Sequence, residues 1–334
     1  MTAPLVSVIL PFYNAENTLH SATNSILNQS LEQWELILVD NASTDHSRSI
    51  AQSLAKQDTR IRLVNEPNRS VVSAFNAGLA QAQGAYIARM DADDISHPDR
   101  LKLQSDFLNK YSETDIVSGQ VHYQSEVSQE GMQQYVNWVN SITTPKQILQ
   151  NQFVELPTIN PSLMFRRSAL EKFGSYRFGD FPEDYELILR WLSQGAIISK
   201  VDDIVLDWHD SSHRLTRTDA RYSTEAFYRI KTSYLTKWLE QNNPFYPNVV
   251  VWGAGRKSRQ RAKLLEKAGI TISAFIDVVP NKTNEAPCIF YQDIAPPGQY
   301  FILSYVSNRG RRVEIRDFLL AKGYREAIDF LLVA

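Results

Sequence analysis

Short apolar runs alternate with helical segments over the first 90 residues, and this alternation restricts the possible folds more than any other feature. Four such runs are residues 5–10, 34–40, 61–64 and 85–90. The segments between them have helical spacing of apolar residues. Strands that alternate with helices in this way form a parallel sheet covered by helices on both faces. The sequence therefore predicts an α/β fold with a mainly parallel sheet.

Polar side chains stand at the points where these predicted strands end. Tyr13 and Asn14 follow the first strand, Asp40 ends the second, and Asp91 and Asp93 follow the fourth. Ligands of α/β proteins bind outside the carboxyl ends of parallel strands. The three clusters therefore predict one ligand site along this edge of the sheet.

The fourth run ends in three carboxylates within four residues, Asp91, Asp93 and Asp94. Carboxylates at the end of a buried strand repel each other and resist desolvation. A divalent metal that also holds a phosphate would resolve this repulsion. The competing interpretation is a solvated turn that caps the next helix.

Composition excludes several classes of protein. Apolar residues make up 43% of the 334 residues, charged residues make up 22%, and the net charge is −2. The chain lacks the basic excess of nucleic-acid-binding proteins. The single cysteine, Cys288, excludes a disulfide framework and fits a reducing compartment. No signal peptide and no apolar run of about 20 residues is evident. We expect a cytoplasmic protein, and peripheral association with the inner face of the cell membrane stays open.

A segment rich in proline and asparagine, residues 242–248, predicts a linker between domains 1–241 and 249–334. The second domain is predicted to be a small Rossmann-like α/β unit, with Gly253-Ala-Gly255 between its first strand and helix. Ser258 stands where a dinucleotide fingerprint has its third glycine, and Asp277 lies near the ribose-binding offset. Both nucleotide binding and a structural or docking role stay open.

Five segments in order resemble family 2 glycosyltransferases of the GT-A fold. They are Ser7–Asn14, Glu35–Asp45, Phe75–Gly78, Met90–Asp94 and the pair Glu183-Asp184. The resemblance covers roughly residues 5–215. It implies a nucleoside-diphosphate sugar donor, usually UDP-linked, and Mn²⁺ or Mg²⁺ as the cofactor. It also implies a saccharide or lipid-linked saccharide acceptor and a role in bacterial surface polysaccharide synthesis.

The resemblance assigns roles to individual residues. Pro11, Tyr13 and Glu16 match positions near the donor nucleotide, and Asp40 matches the residue that contacts the base. Asp91 and Asp93 match the Asp-x-Asp motif, which handles the ribose and the metal-bound diphosphate. Asp184 matches the general base, and His209 matches a late histidine directed at the metal or diphosphate.

Other interpretations of these residues stay open. Asp40 and Glu183-Asp184 could serve as caps or favourable charges at helix starts, with Asp45 as an alternative cap. His209 could be structural. Further candidates from position alone are Arg69 for the donor, His213 for the metal, and Arg214 and Arg217 for phosphate. Asp94 is expected to support the loop.

Elementary chemistry agrees with the assigned roles. A diphosphate leaving group needs its charge neutralised, and a sugar hydroxyl needs a positioned base. Leu187 stands where processive synthases of the family have glutamine, which favours transfer of a single sugar over polymer extension. We expect an inverting enzyme. Two rivals remain: an NAD(P)-binding oxidoreductase centred on Gly253-Ala-Gly255, and a non-catalytic protein that binds nucleotide sugars.

Overall fold

The computed structural model describes residues 3–125, 129–210, 217, 219–279 and 286–334. The chain folds into two compact units. The first comprises Met1–Ile148, Thr158–Gly179 and Arg190–Thr218. The second comprises Leu149–Pro157, Asp180–Leu189 and Asp219–Ala334. In this division residues 219–241 belong to the second unit, whereas the sequence analysis placed them in the first domain, before a linker at 242–248. The domain limits stay a prediction.

An eight-stranded sheet forms the centre of the first unit. Its strands are β1 (Val6–Phe12), β2 (Trp34–Asp40), β3 (Ile61–Asn65), β4 (Tyr86–Arg89), β5 (Ile95–Ser96), β6 (Ile116–Ser125), β7 (Met164–Arg166) and β8 (Ile198–Asp210). Their order is β3-β2-β1-β4-β7-β6-β8-β5. β1 pairs in parallel with β2 and β4, β7 is antiparallel to β4 and β6, and β6 is parallel to β8. The carboxyl ends of β1, β2, β4, β6 and β8 therefore point to the same edge.

The helices of the first unit cover this sheet. They are α1 (Leu19–Leu27), α2 (Ser47–Gln57), α3 (Val71–Gln81), α4 (Arg100–Lys110), α5 (Glu130–Ser141) and α7 (Arg167–Phe173), while α6 (Pro145–Asn151) and α8 (Glu183–Ser193) contribute to both units. Every residue of β2 is buried, as expected for a parallel strand covered on both faces. Gly78 lets α3 approach β1, because a Cβ there would lie 2.6 Å from Cγ2 of Ile9.

A five-stranded sheet forms the centre of the second unit. Its strands are β9 (Asn248–Trp252), β10 (Thr271–Asp277), β11 (Cys288–Phe290), β12 (Ile302–Ser304) and β13 (Phe330–Leu332). All pairings are parallel, in the order β11-β10-β9-β12-β13. Counted within this sheet, the order is 3-2-1-4-5, which is that of doubly wound folds. The helices are α9 (Thr224–Asn242), α10 (Arg256–Lys267) and α11 (Arg309–Ala321).

The glycine turn after β9 is held by side chains of its own unit. Gly253 has a φ of 113°, which favours glycine. The N–H of Ala254 donates to the Asp277 carboxylate at 2.8 Å, and the Ser258 hydroxyl donates to the Tyr305 carbonyl at 3.2 Å. Asp277 and Ser258 therefore have structural roles at this turn.

Within the described residues, no helix combines the length and the apolar character that crossing a bilayer requires.

Candidate active site

The three aspartates after β4 form a compact group. One carboxylate oxygen from each of Asp91, Asp93 and Asp94 lies within 4.8 Å of the other two. Asp91 and Asp93 are half-buried, and Asp94 is fully buried. Carboxylate oxygens are hard ligands that suit Mg²⁺, Mn²⁺ or Ca²⁺. The donor set and its spacing therefore fit a divalent cation.

A buried arginine orients one of these carboxylates. Nε and an Nη atom of Arg89 both lie 3.2 Å from Oδ1 of Asp91. The Arg89 guanidinium also lies 5.6 Å from the ring centroid of Phe75 and 5.2 Å from that of Tyr176. Contacts of a cation with aromatic faces fix its position. Sequence reasoning missed Arg89; the signal was a cation inside an apolar run, two residues before Asp91.

A second buried cation lies beneath the group. Arg100 is fully buried and donates to the carbonyl of Arg89 at 2.7 Å. Burial lowers the pKa of Arg100 to about 10, while Asp94 and Asp91 act in the opposite direction. Arg100 therefore stays charged at neutral pH. Arg89 and Arg100 together offset part of the repulsion among the aspartates.

Strand β8 reaches the aspartates through its main chain. The N–H of His209 donates to Oδ1 of Asp94 at 2.9 Å, so Asp94 ties β8 to the loop after β4. Nδ1 of His209 is buried and has no hydrogen-bond partner among the described residues. Within the described residues, the compact group of potential metal ligands consists of the carboxylates of Asp91, Asp93 and Asp94. The His209 ring is not part of that group.

Tyr13 and Arg69, which follow β1 and β3, contact each other at the sheet edge that carries the aspartates. The Arg69 guanidinium stacks on the Tyr13 ring, 3.9 Å from its centroid. Asn41 holds the loop that carries Arg69: its amide nitrogen donates to the carbonyls of Glu66 and Asn68, and its oxygen accepts from the N–H of Ser70. Asn41 was not predicted as a site residue, although it directly follows Asp40.

Asp40 lies at the end of β2 with a buried acceptor atom. Its side chain is 1% exposed. Oδ1 accepts from the N–H of Ser43 at 3.0 Å, and Oδ2 lies 3.7 Å from the Arg48 guanidinium. Oδ2 has no hydrogen-bond partner among the described residues. A buried carboxylate oxygen without a hydrogen-bond donor is costly, and the charge of Arg48 offsets part of that cost.

Glu16 and Pro11 lie beside this edge and have scaffold contacts. Oε2 of Glu16 accepts from the N–H of His46 at 3.0 Å, and the Glu16 N–H donates to Asp45 at 3.2 Å. Burial opposes ionisation of Asp45, but hydrogen bonds from Ser47 and Glu16 outweigh it and lower the Asp45 pKa. Pro11 lies in β1, opposite Val39 of β2.

Asp184 belongs to the second unit and lies in the first turn of α8. The neighbouring Glu183 is buried and accepts a 2.5 Å hydrogen bond from the Tyr222 hydroxyl. Asp184 is half-buried, and its Oδ1 accepts from the N–H of Tyr185 at 2.7 Å. The contact with Tyr222 gives Glu183 a structural role, so Asp184 is the more accessible carboxylate.

The remaining candidates lie beyond the end of β8. Arg217 donates to both oxygens of Asp210, at 2.9 and 2.7 Å, and to Gln129. These contacts occupy the Arg217 guanidinium, which the sequence suggested as a phosphate-binding group. His213 and Arg214 lie outside the described residues.

Comparison with known sequences matches this chain to glycosyltransferases, and the family model covers the residues that carry the aspartates. The family model for glycosyl transferase family 2 matches residues 7–174. Putative glycosyltransferase EpsE of Bacillus subtilis is 33% identical over 229 residues, which are 67% of this chain and 80% of EpsE. Putative teichuronic acid biosynthesis glycosyltransferase TuaG of the same organism is 44% identical over 110 residues, 33% of this chain and 44% of TuaG.

Comparison with solved structures gives matches at low sequence identity. S. aureus TarS 1–349 in complex with UDP-GlcNAc has a TM-score of 0.56 at 18% identity, over 78% of this chain and 70% of the TarS 1–349 chain. The mannosyltransferase PcManGT from Pyrobaculum calidifontis, in complex with GDP-Man and Mn²⁺, has a TM-score of 0.51 at 20% identity. It is matched over 72% of this chain and 65% of PcManGT.

Proposed function

The chain belongs to glycosyl transferase family 2 and has a GT-A-like fold, and we propose that it transfers one sugar from a nucleoside-diphosphate sugar to an acceptor hydroxyl. The observation that carries this proposal is the aspartate group at the end of β4. It lies on the sheet edge that also carries Asp40 and the stacked pair of Tyr13 and Arg69.

The donor nucleotide would bind across the ends of β1 and β2. Asp40, at the end of β2, is the proposed contact for the base. Tyr13, stacked under Arg69, offers an aromatic surface beside a positive charge. Pro11 and Glu16 shape the start of this surface, and Asp91 binds the ribose side. We propose a UDP-linked donor, in line with the nucleotide sugar in the TarS structure.

The diphosphate would lie over the aspartates. Asp93 is the proposed ligand of Mn²⁺ or Mg²⁺, and His209 approaches the same ion or the diphosphate. When bound, such an ion neutralises the charge that develops on the leaving diphosphate. Arg89 keeps Asp91 in place through its two contacts with Oδ1.

Asp184 is the proposed general base. It takes the proton of the acceptor hydroxyl while the oxygen forms a bond to the anomeric carbon. The bond from that carbon to the phosphate oxygen breaks at the same time, and its electron pair leaves with the nucleoside diphosphate. Attack opposite the leaving group inverts the anomeric configuration.

The proposed setting is bacterial surface polysaccharide synthesis, with a saccharide or lipid-linked saccharide as acceptor. The name of TuaG, a putative teichuronic acid biosynthesis enzyme, supports this setting. Leu187 in place of glutamine supports transfer of a single sugar. We propose that the enzyme acts in the cytoplasm, at the inner face of the membrane when the acceptor is lipid-linked.

We assign the transferase to residues 1–241 and a structural or docking role to the Rossmann-like residues 249–334. The oxidoreductase alternative is not favoured, because the matching family model and the relatives are glycosyltransferases.

The base assignment is tested by Asp184→Asn in a coupled assay for release of nucleoside diphosphate. Loss of a general base lowers kcat by about 10²–10⁴-fold, with an unchanged donor KM. Glu183→Gln is the matched control, and it should lower kcat far less because Glu183 is bound to Tyr222. Full transfer activity in the Asp184→Asn enzyme would rule out the assignment, and full activity in EDTA would rule out a metal.

A further inference from the structure

A polar groove lies between the end of β6 and the start of α5, and we call it the β6–α5 groove. Its volume is about 430 Å³. The side chains that line it include two hydroxyls, one carboxylate and four carboxamides, from Tyr123, Ser125, Glu130, Gln124, Gln129, Gln133 and Gln134. Nothing in the proposed donor site uses these residues.

The charges beside the groove neutralise each other. The Tyr123 hydroxyl donates to Asp210 at 2.8 Å, and Asp210 forms an ion pair with Arg217 at 2.7 Å. Arg217 also donates to Oε1 of Gln129 at 2.7 Å. Among the described residues that line the groove, the charged one is Glu130, which is exposed. A phosphate would need cations here, so the groove is better suited to an uncharged ligand.

The carboxamides present both donors and acceptors. The oxygen of Gln129 is occupied by Arg217, which leaves its amide N–H groups as donors. The amide nitrogen of Gln133 donates to Asn137 at 3.0 Å, which leaves its oxygen as an acceptor. Gln134 adds a further exposed carboxamide, which can both donate and accept. Sugar hydroxyl groups both donate and accept, and this mixed lining matches them.

Strand register connects the groove to the aspartates. In the parallel pair of β6 and β8, Gln124 is opposite His209 and Ser125 is opposite Asp210. The N–H of His209 in turn donates to Asp94. The groove therefore begins on the strand next to the one that contacts the aspartate group.

We propose that the β6–α5 groove binds an uncharged sugar unit of the acceptor. This inference rests on the proposed function. It adds the surface that binds the acceptor and the chemical class of the bound sugar unit. An occupant of the groove would hold the acceptor on the side of the aspartates that β8 reaches, away from Asp40 and Tyr13 at the ends of β2 and β1.

The test is ligand-observed NMR on the full chain with UDP and Mg²⁺. The probes are the methyl glycosides of glucose, galactose and N-acetylglucosamine, with methyl glucuronide as the charged comparison. The groove variant is Gln133→Leu/Gln134→Leu on the exposed face of α5. Gln52→Leu/Gln57→Leu on the exposed face of α2 is the matched control, and thermal melting checks that both variants are folded.

We expect wild type and the control to bind at least one uncharged glycoside, and the groove variant to bind it at least tenfold more weakly. Equal affinity in the groove and control variants would overturn the proposal. So would a lack of binding of all uncharged probes by wild type, or preferential binding of the glucuronide. Donor turnover by wild type is measured separately; its absence would count against the proposed function and not against the affinity comparison.

Discussion

Replacement of Asp93 by Asn is expected to stabilise the protein in the absence of metal. Carboxylate oxygens of Asp91, Asp93 and Asp94 lie within 4.8 Å of each other. At that distance two unit charges repel by about 0.9 kcal/mol at the dielectric constant of water and by about 3.5 kcal/mol at an effective value of 20. Arg89 and Arg100 offset part of this energy, and Asp91 and Asp93 are half-buried. We expect a net gain of about 1–2 kcal/mol in the free energy of unfolding.

The measurement is thermal unfolding in EDTA and in Mn²⁺. A gain of that size raises the melting temperature of the metal-free variant by about 2–8 °C. Wild type should gain about 2.7 kcal/mol when Mn²⁺ is present at 100 times its Kd, and the variant should lose most of that gain. The order of stability therefore reverses between the two conditions.

Asp203→Asn is the matched control, because Asp203 is exposed on β8. It should change neither melting temperature by more than a small amount. The reasoning is refuted if Asp93→Asn melts below wild type in EDTA. An undiminished response of this variant to Mn²⁺ would equally refute it.

Three further substitutions test other parts of the structure. Burial lowers the pKa of Lys200 from 10.5 to about 7. Between pH 7 and 10.5 the unfolded chain therefore binds a proton that the folded chain does not, and the free energy of unfolding rises by up to about 1.4 kcal/mol per pH unit. Urea unfolding of Lys200→Met should show no such rise. Asn41→Ala should cost about 1–3 kcal/mol and raise donor KM more than it lowers kcat, since the Arg69 loop loses its hydrogen bonds. Tyr222→Phe should cost a similar free energy in urea unfolding, because it leaves the buried Glu183 carboxylate without that donor. An unchanged pH slope, an unchanged donor KM or an unchanged stability, respectively, would contradict these expectations.

Two strands of the first unit, one central and one at the sheet edge, were predictable from sequence. β2 was predicted at 34–40 and runs from Trp34 to Asp40, and β3 was predicted at 61–64 and ends one residue later. β2 is an apolar run because helices cover both of its faces, whereas β3 is only partly buried after Ile61. Their order along the chain was sufficient to bring Asp40 and Asp91 to one edge.

The paired strands β6 and β8 were only partly predicted. The sequence indicated residues 115–119 and 204–208, whereas the strands are Ile116–Ser125 and Ile198–Asp210. Polar residues such as Gln120 and Gln124 extend β6, because its main chain pairs with that of β8. Asp202 lies where the register of β8 shifts, and it accepts a hydrogen bond from the Gln120 side chain at 2.7 Å. β5, β11 and β13 have only two or three residues and give no periodic signal.

Site residues that directly follow a strand were predictable from sequence. Site residues whose role depends on contacts with distant parts of the chain were missed. Asp91 and Asp93 follow a visible strand, so their position could be inferred. The role of Arg89 depends on the rings of Phe75 and Tyr176, which are remote in sequence. The role of Asn41 likewise depends on a loop more than 20 residues away.

The hydrogen bond from the His209 N–H to Asp94 has a thermodynamic consequence. Asp94 belongs to the aspartate group, and His209 lies on the strand beside the β6–α5 groove. If a cation on the aspartates changes the affinity of the groove for a sugar, the sugar must change the affinity for the cation by the same factor. A single main-chain contact thus offers a route by which two ligands of one reaction could favour each other's binding.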